Sequence, residues 1–150
     1  MQAKKVLVPV HGDDSDESAL ALACKFAKES KGKVYILYVI EVARRLPLDA
    51  DVSQETAKGE QVLQQMEKLG KKQQADVDAE ILQARDAGPA VVQEAVEREV
   101  DVIVVGLSYK RRYGVFNLGS TVSFILKNSP CPVLLWRGTN GLNGNVPPAS

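Results

Sequence analysis

Apolar residues follow two periods along the chain and divide it into alternating strands and helices. Val6-Leu-Val-Pro-Val10 is a short apolar run rich in β-branched residues, as expected of a buried strand. Val34-Tyr-Ile-Leu-Tyr-Val-Ile40 and Asp101-Val-Ile-Val-Val-Gly106 repeat the pattern. Pro130-Cys-Pro-Val-Leu-Leu-Trp136 repeats it again, with prolines that suit a strand's start rather than its middle. Asp76-Val-Asp-Ala-Glu-Ile-Leu82 alternates instead, which predicts a half-covered strand.

Between the strands the period lengthens. Asp14 stands three residues before Glu17 as in a capping box, and Leu20, Ala23 and Ala27 then recur at helical spacing until Gly32 offers a stop. A loop containing Pro47 follows the second strand, and a polar helix rich in Gln, Glu and Lys is predicted from about Ser53 to Lys72. Gly88-Pro89 opens another helix, with proline in the first turn where its missing N–H costs nothing, and Val91, Val92, Ala95 and Val96 give it an apolar face. A short helix is read over Gly119–Lys127, and residues 138–150, rich in Gly, Asn and Pro, read as a loose tail.

The predicted order is βαβ(α)βαβαβ. Helix-length crossovers between successive strands favour a mostly parallel sheet, hence a three-layer α/β fold with an open five-stranded sheet and helices on both faces. Ligands of such folds bind beyond the carboxyl ends of the strands. Here those ends are His11-Gly-Asp-Asp14, Val39-Ile40, and Gly106 with the loop after it.

Composition narrows the function classes. With 150 residues, 45% apolar and 25% charged, the chain is one globular domain with enough length for a core without disulfide or metal staples. The net charge is zero, so no global attraction to nucleic acid or to an anionic membrane is expected. Basic residues nevertheless concentrate late: Lys110, Arg111, Arg112, Lys127 and Arg137 face a single acid, Asp101, in the last fifty positions. The Lys110-Arg111-Arg112 run reads either as a phosphate clamp or as a solvated loop tip. Cys24 and Cys131 form no CxxC pair, and one histidine, His11, is too few for a zinc-type cluster, so no metal site is expected. Cys24 reads as a core residue and Cys131 as structural. No apolar run approaches the ~18 residues that span a membrane, and the start of the chain lacks a signal-peptide core, so a cytoplasmic protein is expected.

The candidate motifs concern phosphate. The first strand-to-helix turn, His11-Gly-Asp-Asp14, has one glycine and lacks both the GxGxxG of a dinucleotide site and an SGG turn. Gly114–Thr121 has the outer frame of a P-loop, but Ser120 occupies the lysine position, so the β- and γ-phosphates would lose their cation. Gly119-Ser120-Thr121-Val122 opens a helix, and unpaired N–H groups there can bind an anion; an ordinary helix cap is the competing reading. His11, Asp13 and Ser120 could be arranged as a hydrolytic triad, yet nothing local marks Ser120 as a nucleophile.

Gly106-Leu-Ser108-Tyr109, nine residues, then Gly119-Ser120 resembles the nucleotide-binding motif of the universal stress protein family, Gly-x-x-Gly, nine residues, Gly-Ser/Thr. The resemblance covers Val6–Val10, Ser18-Ala-Leu20, Val39-Ile40 and Asn128–Leu135, so that residues 1–137 read as one such domain. It implies an adenine nucleotide alpha hydrolase-like, Rossmann-like parallel sheet, a homodimer, and ATP or another adenine nucleotide as ligand, with Mg2+ only alongside the nucleotide. It further implies that Pro9, Val10, His11 and Val39 lie at the adenosine end. Gly106, Ser108, Tyr109, Gly119, Ser120, Thr121 and Val122 would lie around the phosphates. Two positions depart from the family pattern: Tyr109 replaces the second motif glycine, and His11 replaces the acid that usually ends the first strand. A stress-response sensor or regulator is therefore expected, not an enzyme; the alternative is a nucleotide-independent dimeric interaction module. The dimer is expected to form through the last strand, Val133, Leu134, Leu135 and Trp136, an apolar run that the element order can leave at a sheet edge.

Overall fold

The computed structural model describes residues 2–108 and 118–138. The elements are β1 (Lys5–Val10), α1 (Ser15–Glu29), β2 (Lys33–Glu41), α2 (Ser53–Lys72), β3 (Asp76–Ala84), α3 (Ala87–Arg98), β4 (Val102–Leu107), α4 (Gly119–Asn128) and β5 (Val133–Arg137). Every strand pair is parallel, and the strands lie in the order β3-β2-β1-β4-β5. The chain builds outward from β1 to β3, crosses back, and builds outward again through β4 and β5. The strand order thus reverses between β1 and β4, where open α/β sheets form a ligand crevice.

Strand alternation sorts the core into two faces. Val6, Val8, Ile36 and Val104 pack with Leu20, Ala23, Leu63 and Met66 of α1 and α2. Leu7, Leu37, Ile103 and Val105 pack on the other side with Val91 and Ala95 of α3 and with Val122 and Ile125 of α4. Each such side chain contributes about 1.5–3 kcal/mol when fully buried, so β1 and β4, covered on both faces, anchor the fold. Among the described residues no helix is long and apolar enough to cross a membrane.

Element ends differ from the sequence expectations for local reasons. Asp14 does not cap α1: its backbone is helical, and its carboxylate accepts the Ser108 hydroxyl instead. Asp13 takes over, accepting the Ser15 N–H at 2.8 Å as aspartate readily does two residues ahead. The turn that ends α1 places Lys31, not Gly32, in the left-handed region, with φ 52°. Gly32 is needed for space, because a Cβ there would meet the Ala3 carbonyl at 2.5 Å. β5 begins at Val133 rather than Pro130, since Ser129 folds the preceding turn through a bond from the Cys131 N–H. β3 runs two residues past the expected Leu82, to Ala84.

Candidate functional site

A cavity of about 400 Å³ opens beyond the carboxyl ends of β1, β2 and β4, between the starts of α3 and α4. Eight of the eleven residues expected at the site line it: Pro9, Val10, His11, Val39, Gly119, Ser120, Thr121 and Val122. Gly106 and Ser108 do not, and Tyr109 lies outside the described residues, as do Lys110–Arg112. Alternation explains Gly106. Its neighbours Val105 and Leu107 face the cavity, so Gly106 faces α1, where a Cβ would come within 2.6 Å of the Ser15 carbonyl oxygen. The glycine lets α1 start against β4. Ser108 bonds Asp14 and so joins the segment after β4 to the turn after β1.

The apolar floor went unread in the sequence although the strand period carries it: Leu37 stands two before Val39, and Val105 and Leu107 flank Gly106. Glu41, two after Val39, was also missed and reaches the rim.

Two helix starts, of α3 and α4, flank the cavity, and that of α1 lies just beyond it; the α1 and α3 starts are served by carboxylates of the chain. Asp13 accepts from Ser15 at the start of α1, and Glu41 accepts from the Ala87 N–H at 3.1 Å at the start of α3. The first turn of α4 contains no acidic residue. It opens at Gly119, whose φ of +81° glycine adopts without strain, and beyond its chain neighbours and its own helix backbone no atom of the other described residues lies within 4 Å of where a Cβ would stand. Backbone N–H groups and the hydroxyls of Ser120 and Thr121 therefore meet the cavity where a helix attracts an anion.

The β1–α1 turn forms the opposite wall. Gly12 has φ +95°, and the buried Asp16 carboxylate accepts the Gly12 N–H at 2.7 Å and the His11 N–H at 3.2 Å. The His11 Nε2 bonds Asp13, while its Nδ1 lies 3.6 Å from Asp16. The Asp13 bond holds the imidazole proton and raises the His11 pKa; burial opposes this without reversing it. For Asp13, burial pushes the pKa up, but bonds from His11 and Ser15 outweigh it and hold the carboxyl well below the usual range. Burial raises Asp16, partly offset by the Gly12 bond. Beyond the sequence reading, which found one histidine too few for a zinc-type cluster, His11, Asp13 and Asp16 bring one potential ligand atom each within 4.8 Å of one another. Those atoms serve the turn itself. Ser120 makes no hydrogen bond to His11 among the described residues, so the triad arrangement is not assembled.

Residues 2–137 match the universal stress protein family. A universal stress protein of Methanocaldococcus jannaschii is 30% identical over 138 residues, covering 88% of this chain and 81% of that protein. The solved structure of the universal stress protein UspA from Lactobacillus plantarum superposes with a TM-score of 0.77 at 25% identity, covering 91% of this chain and 99% of that one. A universal stress protein family structure from Arabidopsis thaliana with AMP bound gives a TM-score of 0.68 at 22% identity, covering 91% and 92% of the two chains. The β3-β2-β1-β4-β5 sheet, the crevice at its reversal point and these matches agree: the chain belongs to the universal stress protein family.

Proposed function

We propose that this chain is a non-catalytic binding protein that takes an adenine nucleotide in the cavity and acts as a cytoplasmic sensor or regulator of the stress response. The observation that carries the reading is the start of α4, a glycine-led helix terminus with no acid in its first turn, facing an apolar cavity at the reversal point of the sheet. The apolar floor of Leu37, Val91 and Val105 suits a flat base, and the Val39 backbone at the end of β2 offers it hydrogen bonds. Phosphate rests on α4 with Ser120 and Thr121, and Mg2+ enters only with the phosphates. The AMP-bound relative supports a ligand of this class.

The active form in this reading is a homodimer joined through β5. Both β3 and β5 are sheet edges. β3 carries Asp76, Asp78 and Glu80 at alternate positions, which guards it against pairing, whereas β5 reads Val-Leu-Leu-Trp with Leu135 37% exposed.

Titration calorimetry with AMP, ADP and ATP tests the site. The wild type should bind at least one of them, and Gly119→Val should lose binding by about tenfold or more, because a side chain at positive φ strains the helix start by roughly 1–2 kcal/mol. Undiminished binding in Gly119→Val would place the nucleotide elsewhere. No binding by the wild type would leave the dimeric interaction module as the function.

A further inference from the structure

We propose that Glu41 is the specificity-determining residue of this cavity and that it favours a nucleotide with one phosphate over a triphosphate; the inference rests on the nucleotide reading above. Leu37, Val39 and Glu41 follow one another along the cavity face of β2, so the apolar floor ends in a carboxylate. That exposed carboxylate is oriented by the Ala87 N–H, which it accepts at 3.1 Å. It borders two spaces beside the α4 start: the main cavity, and a neighbouring one of about 240 Å³ that also touches Asp86, Ser120 and Thr121.

The described cations nearby are engaged elsewhere. Arg44 pairs with Asp86 at 3.5 Å, and Arg85 donates to the carbonyls of Val42, Ala43 and Leu46. Among the described residues no lysine or arginine pairs with Glu41 or lines either space. A single phosphate on α4 gains the helix terminus at little electrostatic cost. A longer phosphate chain leaving α4 toward α3 meets the Glu41 carboxylate with each added negative charge, while the Asp86 charge is shared with Arg44. The base and ribose are the same in AMP and ATP, so this repulsion separates them. It acts within the screening distance of about 8–10 Å at ordinary salt.

Glu41→Gln isolates the charge, because the amide oxygen still accepts from Ala87 and the shape is kept. Calorimetry on the full chain in Mg2+-free buffer of low ionic strength should find wild type binding AMP more tightly than ATP. Glu41→Gln should raise ATP affinity by about five- to tenfold and change AMP by less than about twofold, the scale of one or two screened charge contacts. Asp86→Asn should shift the ATP-to-AMP ratio in the same direction by less, and it keeps the test open should Glu41→Gln fold poorly. A wild type that prefers ATP, or a ratio unchanged in both variants while both nucleotides bind, overturns the role of Glu41. Absence of binding for every nucleotide in every variant instead removes the nucleotide reading and this inference with it, so the two failures are told apart by whether AMP binds.

Discussion

The His11 imidazole is held between two carboxylates of unlike character: Asp13, partly solvated and bonded to the ring, and Asp16, buried and bonded to the backbone. The sign of each shift sets a pH window. His11, raised above its ordinary value, adds stability that is fully present below about 6.5 and is lost as pH climbs through its folded pKa. Asp13, lowered, adds stability that is present above about 4 and fades as pH falls below it. Both contributions coexist between those limits. Proton NMR titration should therefore give His11 a pKa above 6.5 in the wild type, and Asp13→Asn should bring it back toward that value; an unmoved pKa would mean that the ring bond is not what holds the proton. The two motif glycines should separate in the same way. Gly106→Ala should cost about 2 kcal/mol in urea unfolding, because its Cβ meets the Ser15 carbonyl, and equal stability of variant and wild type would contradict that close approach. The motif spacing pointed to both glycines as phosphate neighbours. It could not say that one serves packing, since the spacing between motif residues does not reveal which face of a strand a glycine takes.

At the scale of elements, the sequence anticipated each of the nine described segments, mostly through apolar period, because β1, β2 and β4 are largely buried, and α2 through its polar composition. Their ends were harder to read, since side chains from elsewhere decide them: Ser108 claims Asp14, and Glu41 reaches across from β2 to serve α3. No local motif announces a cap supplied from a distant strand. Three of the helices close on non-glycine residues at positive φ, namely Lys31, Gln74 and Glu99. The Gln74 turn is typical, with the Ala75 N–H reaching the Gly70 carbonyl at 3.0 Å. Its side chain is exposed, so Gln74→Gly should raise stability by about 0.5–1 kcal/mol in thermal or urea unfolding by relieving left-handed backbone strain. A decrease would show that the gain in freedom of the unfolded chain outweighs that relief.

At the scale of the whole molecule, the reversal of strand order between β1 and β4 positions the cavity, and β5 is an edge of the described sheet, the edge assigned to the second copy in the dimer proposed above. Leu135→Lys should yield a monomer by analytical ultracentrifugation, while an unchanged dimer would exclude this edge as the contact. Topology was legible because helices alternate with strands, whereas the cavity floor was not, since it emerges only when Leu37, Val91, Val105 and Ile125 are brought together from four elements. The Ser108–Asp14 bond spans the same reversal point, tying the segment that leaves β4 to the one that leaves β1. On the cavity side His11 lines the wall and shares the Asp16 carboxylate with Gly12, so in the proposed nucleotide complex an occupant that steadies His11 slows the opening of the β1–α1 turn, and the Gly12 amide becomes a timekeeper of occupancy: its deuterium uptake should slow when nucleotide is present and keep the unliganded pace in Gly119→Val.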